Sequence, residues 1–269
     1  MATHTEAEKH PIILTIAGFD PSSGAGVTAD IKTIAAHGCF GVGCVTSITV
    51  QNTIGVNQVE PVSGNVVSET LKSLASDMPI AAIRIGMLGS ASTAAAVADF
   101  LGGMGRIPIV LDPVLRSSSG AELLQKSGIE VLKARLLPLA VVVTPNLAEA
   151  AELTGLPVIS MAEIKVAAVA LQRMGARNVV VTGGHWAANT DWVRLESGEE
   201  HEVAGPRIES KSTHGTGCAF ATALTCNLAR GMNLVAASMA AKKYVAEAIK
   251  AAYAVGKGNG PINHFFERK

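Results

Sequence analysis

The chain has no excess of either charge. Lys plus Arg and Asp plus Glu both number 22 in 269 residues, and no block of like charge interrupts the sequence. Such a balance leaves no electrostatic footprint for nucleic acid or an anionic membrane surface, so neither is an expected partner. Long apolar runs are missing as well: the longest clear one, residues 136–143, is broken by Pro138, whereas a membrane span needs about 18 uninterrupted apolar residues. A soluble protein is expected. Cysteine is scarce, and Cys39, Cys44, Cys218 and Cys226 make no CxxC pair and no cluster with His at zinc spacing, which fits a reducing cytoplasm. No GxxxxGK followed by Ser or Thr occurs, so a Walker-type phosphate loop is absent. Residues 1–10 are polar and lack an apolar h-region; they read as a frayed tail, not a secretory signal. Small-molecule chemistry is the class left standing.

What the chain does have is apolar material, 48% of its residues, enough for one large α/β domain over residues 11–269. Short β-branched runs alternate with helical patterns. Strands are expected at residues 12–16, 42–50, 80–85, 107–111, 141–143 and 179–181. Helices are expected around 29–35, 66–75, 93–101, 129–136, 147–154, 162–174, 218–230 and 234–252. Near-continuous apolar strands separated by helices imply a mostly parallel sheet covered on both faces. Between Thr182 and Ser210 the character changes, and Trp186, residues 191–195 and residues 199–203 suggest an antiparallel hairpin at the edge. Polar or glycine residues close each parallel strand: Gly18, Gln51, Met87, Asp112, Asn146 and Thr182. In a parallel sheet those ends share one edge, where ligands of open α/β sheets bind.

One stretch organises the rest. Residues 210–230 read as a loop feeding a helix, opened by Gly215-Thr216-Gly217-Cys218. A helix N-terminus carries unpaired N–H groups and about half a positive charge, so this turn is an anion cradle in outline. Three readings compete. It is a plain glycine turn; or Cys218 and His214 are a nucleophile and base of the hydrolase kind; or the cradle holds a transferring phosphoryl group and Cys218 acts as base toward the accepting hydroxyl, its thiol pulled below ~8.5 by the helix terminus. A dinucleotide fingerprint, Gly24-Ala25-Gly26-Val27-Thr28-Ala29, is contradicted by its context: the glycines start several residues after the strand, and Gln51-Asn52 stands where a ribose-binding acid belongs.

Eight segments, in order, carry a resemblance. Residues 17–26 with 29–33 (AGFDPSSGAG, then ADIKT), Val50-Gln51-Asn52-Thr53, Ile85-Gly86-Met87-Leu88, Leu111-Asp112-Pro113-Val114, residues 144–150, Gly183-Gly184-His185, residues 213–218 and residues 256–261 together resemble the hydroxymethylpyrimidine/phosphomethylpyrimidine kinases of thiamine biosynthesis, in the ribokinase-like superfamily. The resemblance spans residues 11–266. It implies a three-layer α/β/α kinase using ATP and Mg2+, first on 4-amino-5-hydroxymethyl-2-methylpyrimidine and then on its monophosphate. By the same resemblance Gly215, Thr216, Gly217 and Cys218 are catalytic, with Cys218 accepting the hydroxyl proton. Gly18, Asp30, Gln51, Met87 and Val114 match the pyrimidine pocket; an amide such as Gln51 offers the donor and acceptor that an aminopyrimidine edge requires. Asp112 and Glu149 match the magnesium positions, while Asn146, Glu149, Thr182 and Gly183 match nucleotide contacts together with Gly215 and Gly217. A homodimer is implied. Plainer roles exist for some of these residues: Glu149 as a first-turn helix acid, Asp30 as a helix carboxylate beside Lys32, Met87 as packing.

The chain also departs from that pattern. Phe19 stands where the family usually has Ser, Thr182 where Lys is common, and residues 116–120 replace a stretch that usually carries Lys. Two other functions share the outline. Pyridoxal kinase has the same fold, cradle and cysteine, but its relatives tend to lack an amide at the position of Gln51; a binding protein that lost catalysis would have little reason to keep Asp112, Glu149 and Cys218.

Overall fold

A computed structural model of the chain describes residues 10–117, 119–183 and 189–267. The expected tail before His10, together with Ser118, Gly184, His185 and Trp186, lies outside the described residues. Among those described, nine strands form one sheet: β1 Ile12–Phe19, β2 Phe40–Gln51, β3 Val56–Pro61, β4 Ile80–Ile85, β5 Ile109–Leu111, β6 Val142–Val143, β7 Asn178–Val181, β8 Thr190–Arg194 and β9 Glu200–Ala204. Their order is β3-β2-β1-β4-β5-β6-β7-β8-β9. The central run from β2 to β7 is parallel, and β3, β8 and β9 are antiparallel additions at the two edges. Eight α-helices accompany them: α1 Gly26–Ala36, α2 Gly64–Asp77, α3 Ala91–Gly102, α4 Lys126–Val131, α5 Leu147–Thr154, α6 Met161–Arg173, α7 Thr216–Ala229 and α8 Leu234–Lys250.

Strand alternation sorts the side chains into two layers. Leu14, Ile16, Ile83, Ile85, Leu111, Val143 and Val179 face one core, shared with Val67 and Leu71 of α2, Val97 and Leu101 of α3 and Leu171 of α6. Their sequence neighbours Val110, Val142 and Val180 face the other, packed on Phe220 and Leu224 of α7 and Ala237 and Ala241 of α8. Ile13 and Ala82 lie on that second face with Ile34 of α1. A period-2 strand buried on both sides therefore needs no polar alternation, and each full burial of such an aliphatic side chain is worth about 1.5–3 kcal/mol. Thr15 and Arg84 interrupt the apolar pattern of the second face, and both are fully buried.

Two local expectations change. The hydrophobic-run argument passed over β3, because its burial is low throughout and Val56-Asn57-Gln58-Val59-Glu60-Pro61 has no apolar face to detect; pairing with β2 alone holds it. The helix expected at 129–136 is instead α4, then a wide π turn at Leu132–Leu136, then a tight 3-10 turn at Leu137–Leu139. Pro138 has no N–H for the carbonyl four residues back, so the ladder loosens before it and tightens around it.

Candidate active site

The cradle forms where the sequence places it. Gly215 caps α7 with φ +81° and ψ 9°, a left-handed conformation that favours glycine. A Cβ there would stand 1.8 Å from the Gly24 carbonyl oxygen, so the loop after β1 lies directly on the turn. Gly217 has open space around it. The N–H groups of Gly217 and Cys218 meet no acceptor among the described residues, as expected for first-turn donors not used by a cap. Beneath the turn the Cys218 thiol lies near the Gly26 N–H, Arg84 and Asp112.

The helix terminus does not lower this thiol. Burial pushes it up to about 11, with Asp112 and Asp30 adding to the rise and Arg84 opposing it. Desolvation and the charges of two neighbouring carboxylates together outweigh Arg84 and the helix terminus. The sequence expectation is a thiol drawn below its ordinary value; its surroundings push it the other way, toward the protonated form. The hydrolase pair is also ruled out, because His214 turns elsewhere, its Nε2 2.8 Å from Asp20 Oδ2 and 3.0 Å from the Gln51 amide nitrogen.

Arg84, which sequence reasoning passed over, holds this centre together. It rises from β4 and donates to Asp30 Oδ2 at 3.0 Å and to Asp112 Oδ2 at 2.5 Å. Gly86 makes room for it, since a Cβ there would fall 1.9 Å from Arg84 Nη1. Asp30 also accepts from Thr15 Oγ1 (2.5 Å) and Thr222 Oγ1 (2.8 Å). Asp30 is 0% exposed, so the residue expected in the pyrimidine pocket is instead an internal support joining β1, β4, α1 and α7. Its helix position makes it a carboxylate with three partners and no free face. The signal was present: a lone Arg inside Ile80–Ile85 is buried only if paired, and removing one partner of such a pair costs about 3–5 kcal/mol.

Asp112, just after β5, and Glu149 in the first turn of α5 are both buried. Burial raises Glu149 to about 8, and the charge of Asp112 adds to it. Burial likewise raises Asp112, to about 6, against the pull of Arg84. A buried acid lifted by the charge of a second carboxylate marks a place for a cation. Among the described residues no three acidic, His or Cys side chains cluster as a metal cage, and Mg2+ characteristically takes one or two carboxylates with water and phosphate oxygens. The donor set fits that ion. Glu149 also closes a reciprocal cap with Asn146: Asn146 N–H donates to Glu149 Oε2 and Glu149 N–H to Asn146 Oδ1, both at 2.9 Å. Thr182 pairs with Asn146 across the edge, its N–H donating to the Pro145 carbonyl at 2.9 Å. Gly183 donates to Asp191 Oδ1, and Asp191 is held by Lys242 at 2.8 Å.

The remaining pocket residues line the same edge. Gly18 and Met87 touch, a Cβ at Gly18 falling 2.7 Å from the Met87 sulfur. Gln51 is half-buried at the end of β2, and Thr49 Oγ1 lies 3.2 Å from its amide oxygen. Val114 is half-buried on the loop after Asp112. The C-terminal glycine segment is also drawn in: Gly258 donates to Thr53 Oγ1, and Gly260 O accepts from His214 N–H at 3.1 Å. A cavity of about 200 Å3 between Lys32 and Ile262 meets this edge only at Pro261, which pairs with His214.

Known proteins align with this geometry. Residues 20–263 match the phosphomethylpyrimidine kinase family model. A hydroxymethylpyrimidine/phosphomethylpyrimidine kinase of Haemophilus influenzae is 42% identical over 258 residues, covering 94% of this chain and 96% of the relative. The crystal structure of a phosphomethylpyrimidine kinase from Clostridium difficile superposes with TM-score 0.79 at 32% identity, covering 89% of this chain and 99% of that one. A pyridoxal kinase of Staphylococcus aureus, in complex with AMP-PCP and pyridoxal, superposes with TM-score 0.87 at 30% identity, covering 97% and 96%. With its ribokinase-like sheet, its glycine cradle and a near full-length match, the chain belongs to the phosphomethylpyrimidine kinase family.

Proposed function

We propose that this protein transfers phosphoryl groups from ATP to 4-amino-5-hydroxymethyl-2-methylpyrimidine and then to its monophosphate. The observation that carries the reading is the pairing of unoccupied N–H donors at Gly217 and Cys218 with an amide, Gln51, on the same sheet edge. The cradle binds the transferring phosphoryl group and stabilises its developing charge. Gln51, Gly18, Met87 and Val114 hold the pyrimidine with its hydroxymethyl toward Cys218, which takes up the hydroxyl proton once its own thiol proton has been released to solvent. Asn146, Thr182 and Gly183 contact the nucleotide phosphates. Asp112 and Glu149 would hold Mg2+, which would supply positive charge beside the transferring phosphates.

The similarity to pyridoxal kinases favours one rival substrate. Coupled ADP release, measured side by side with the hydroxymethylpyrimidine, its monophosphate and pyridoxal, decides between them. The pyrimidine reading predicts the larger kcat/KM for the first two; a larger value for pyridoxal overturns it. A homodimer working in the cytoplasm completes the proposal. It is supported by apolar side chains presented at one sheet edge, Ile48 (52% exposed), Val50 (51%) and Ile54 (68%), and by four free thiols.

A further inference from the structure

His214 sits at the junction of three parts of the site. Its ring lies against Gly24, where a Cβ would fall 2.3 Å from its Cδ2, its backbone leads into Gly215 of the cradle, and its Nε2 faces both Asp20 and Gln51. Which end of an amide meets which neighbour is decided by the donors and acceptors around it. Asp20 accepts from the backbone N–H groups of Ser22, Gly24 and Ala25 and from Ser22 Oγ. A carboxyl with four such donors is ionised, and its acidity agrees: burial alone would raise it, but the His214 and Ser22 hydrogen bonds bring it below its ordinary value. An ionised carboxylate only accepts, so His214 Nε2 carries a proton and donates it. On the other side, Thr49 Oγ1 donates its single proton to the Phe19 carbonyl at 3.0 Å, leaving that oxygen as an acceptor toward Gln51.

From this proton inventory we infer that His214 is a positioning residue: an Nε2 protonated toward Asp20 has no lone pair to accept the Gln51 NH2, so the amide turns its oxygen to that side, sharing the one Nε2–H with Asp20, and its NH2 toward Thr49. One N–H and one carbonyl lone pair then remain for the ligand, in a fixed order. Resting on the pyrimidine reading above, this makes the site selective for an edge with a bare ring nitrogen beside an amine. It rejects the lactam edge of a 4-oxo analogue, whose ring N–H and carbonyl present the opposite order. Selection against a mismatched polar edge is strong because it leaves buried donors and acceptors unpaired.

The test compares kcat/KM for 4-amino-5-hydroxymethyl-2-methylpyrimidine and its 4-oxo analogue within each variant, so that damage to the neighbouring cradle cancels in the ratio. The wild-type protein should favour the amine strongly. His214→Ala frees the amide to turn, and the amine/oxo ratio should fall by roughly tenfold or more; His214→Gln, which restores a donor, should recover most of it. Thr49→Val removes the opposite anchor without touching His214 or the cradle and should lower the ratio too, which decides the matter if His214→Ala does not fold. An unchanged ratio in the folded variants overturns the role of His214 while leaving the kinase reading intact. Failure of the wild-type protein to phosphorylate the amine overturns both.

Discussion

A thiol at the first turn of a helix meets about half a positive charge, and sequence alone argues for an acidic cysteine at position 218. With the carboxylates of Asp30 and Asp112 near it, it is instead pushed up to about 11, burial being the largest cause. Its identity and place were legible from GTGC after a glycine turn; its protonation state was not, because that depends on carboxylates 106 and 188 residues earlier in the chain. Cys218→Ala should leave substrate KM nearly unchanged and lower kcat by about 10²-fold or more, the usual worth of a general base. Steady-state kinetics on both substrates checks this, and unchanged turnover would reduce the cysteine to packing. Arg84 teaches the complementary lesson. A single charged residue in an apolar strand announces a buried partner, but only the meeting of β4 with α1 and the end of β5 names Asp30 and Asp112 as the partners.

The elements around the cradle separate two uses of glycine. At Gly215 the positive φ and the Gly24 carbonyl 1.8 Å from any Cβ make the residue structural. At Gly217 nothing lies within 4 Å, so the missing side chain leaves room for a ligand. Gly215→Ala should therefore lower both thermal stability and turnover, whereas Gly217→Ala should keep the melting temperature and raise the nucleotide KM. Differential scanning fluorimetry beside ATP titrations tells the two apart. The C-terminal segment makes its own prediction. His264 is 3% exposed, and its Nδ1 lies 3.0 Å from Thr33 Oγ1, whose proton goes to the Ala29 carbonyl. Burial, with Lys32 nearby, lowers its pKa to about 4. An unfolded His titrates near ~6.5, so between these values the unfolded chain binds the extra proton. Stability is then complete above ~6.5, falls as pH drops toward 4 and levels off below it. Urea unfolding should show a loss of roughly 2 kcal/mol between pH 7 and pH 5 that His264→Gln abolishes.

At the scale of the whole molecule, the parallel centre and the antiparallel edge were both readable, one from apolar runs between helices and the other from the change of character after Thr182. β3 was not, since a strand that is exposed along its length has no period for a hydrophobic pattern to show. Beside it, β2 carries Ile48 and Val50 outward at more than half exposure. If this edge joins two copies, Ile48→Asp should shift the sedimentation coefficient to that of a monomer while the melting transition of the single chain persists. A wild-type monomer at micromolar concentration would exclude the edge as a dimer surface.

Local chemistry is written in the chain itself: glycines that open a helix, polar residues that close strands, and an amide at position 51 are properties of neighbours in sequence, so they pointed to the fold class and outlined the cradle before any coordinates, while the kind of ligand came from the resemblance of eight segments to a known family. Charge state and orientation belong to neighbours in space. That Asp30 supports the site from within, that Cys218 rests as a thiol, and that His214 faces Asp20 and Gln51 instead of the cysteine four residues on, follow from desolvation and hydrogen-bond partners brought together only when β1, β2, β4 and α7 converge.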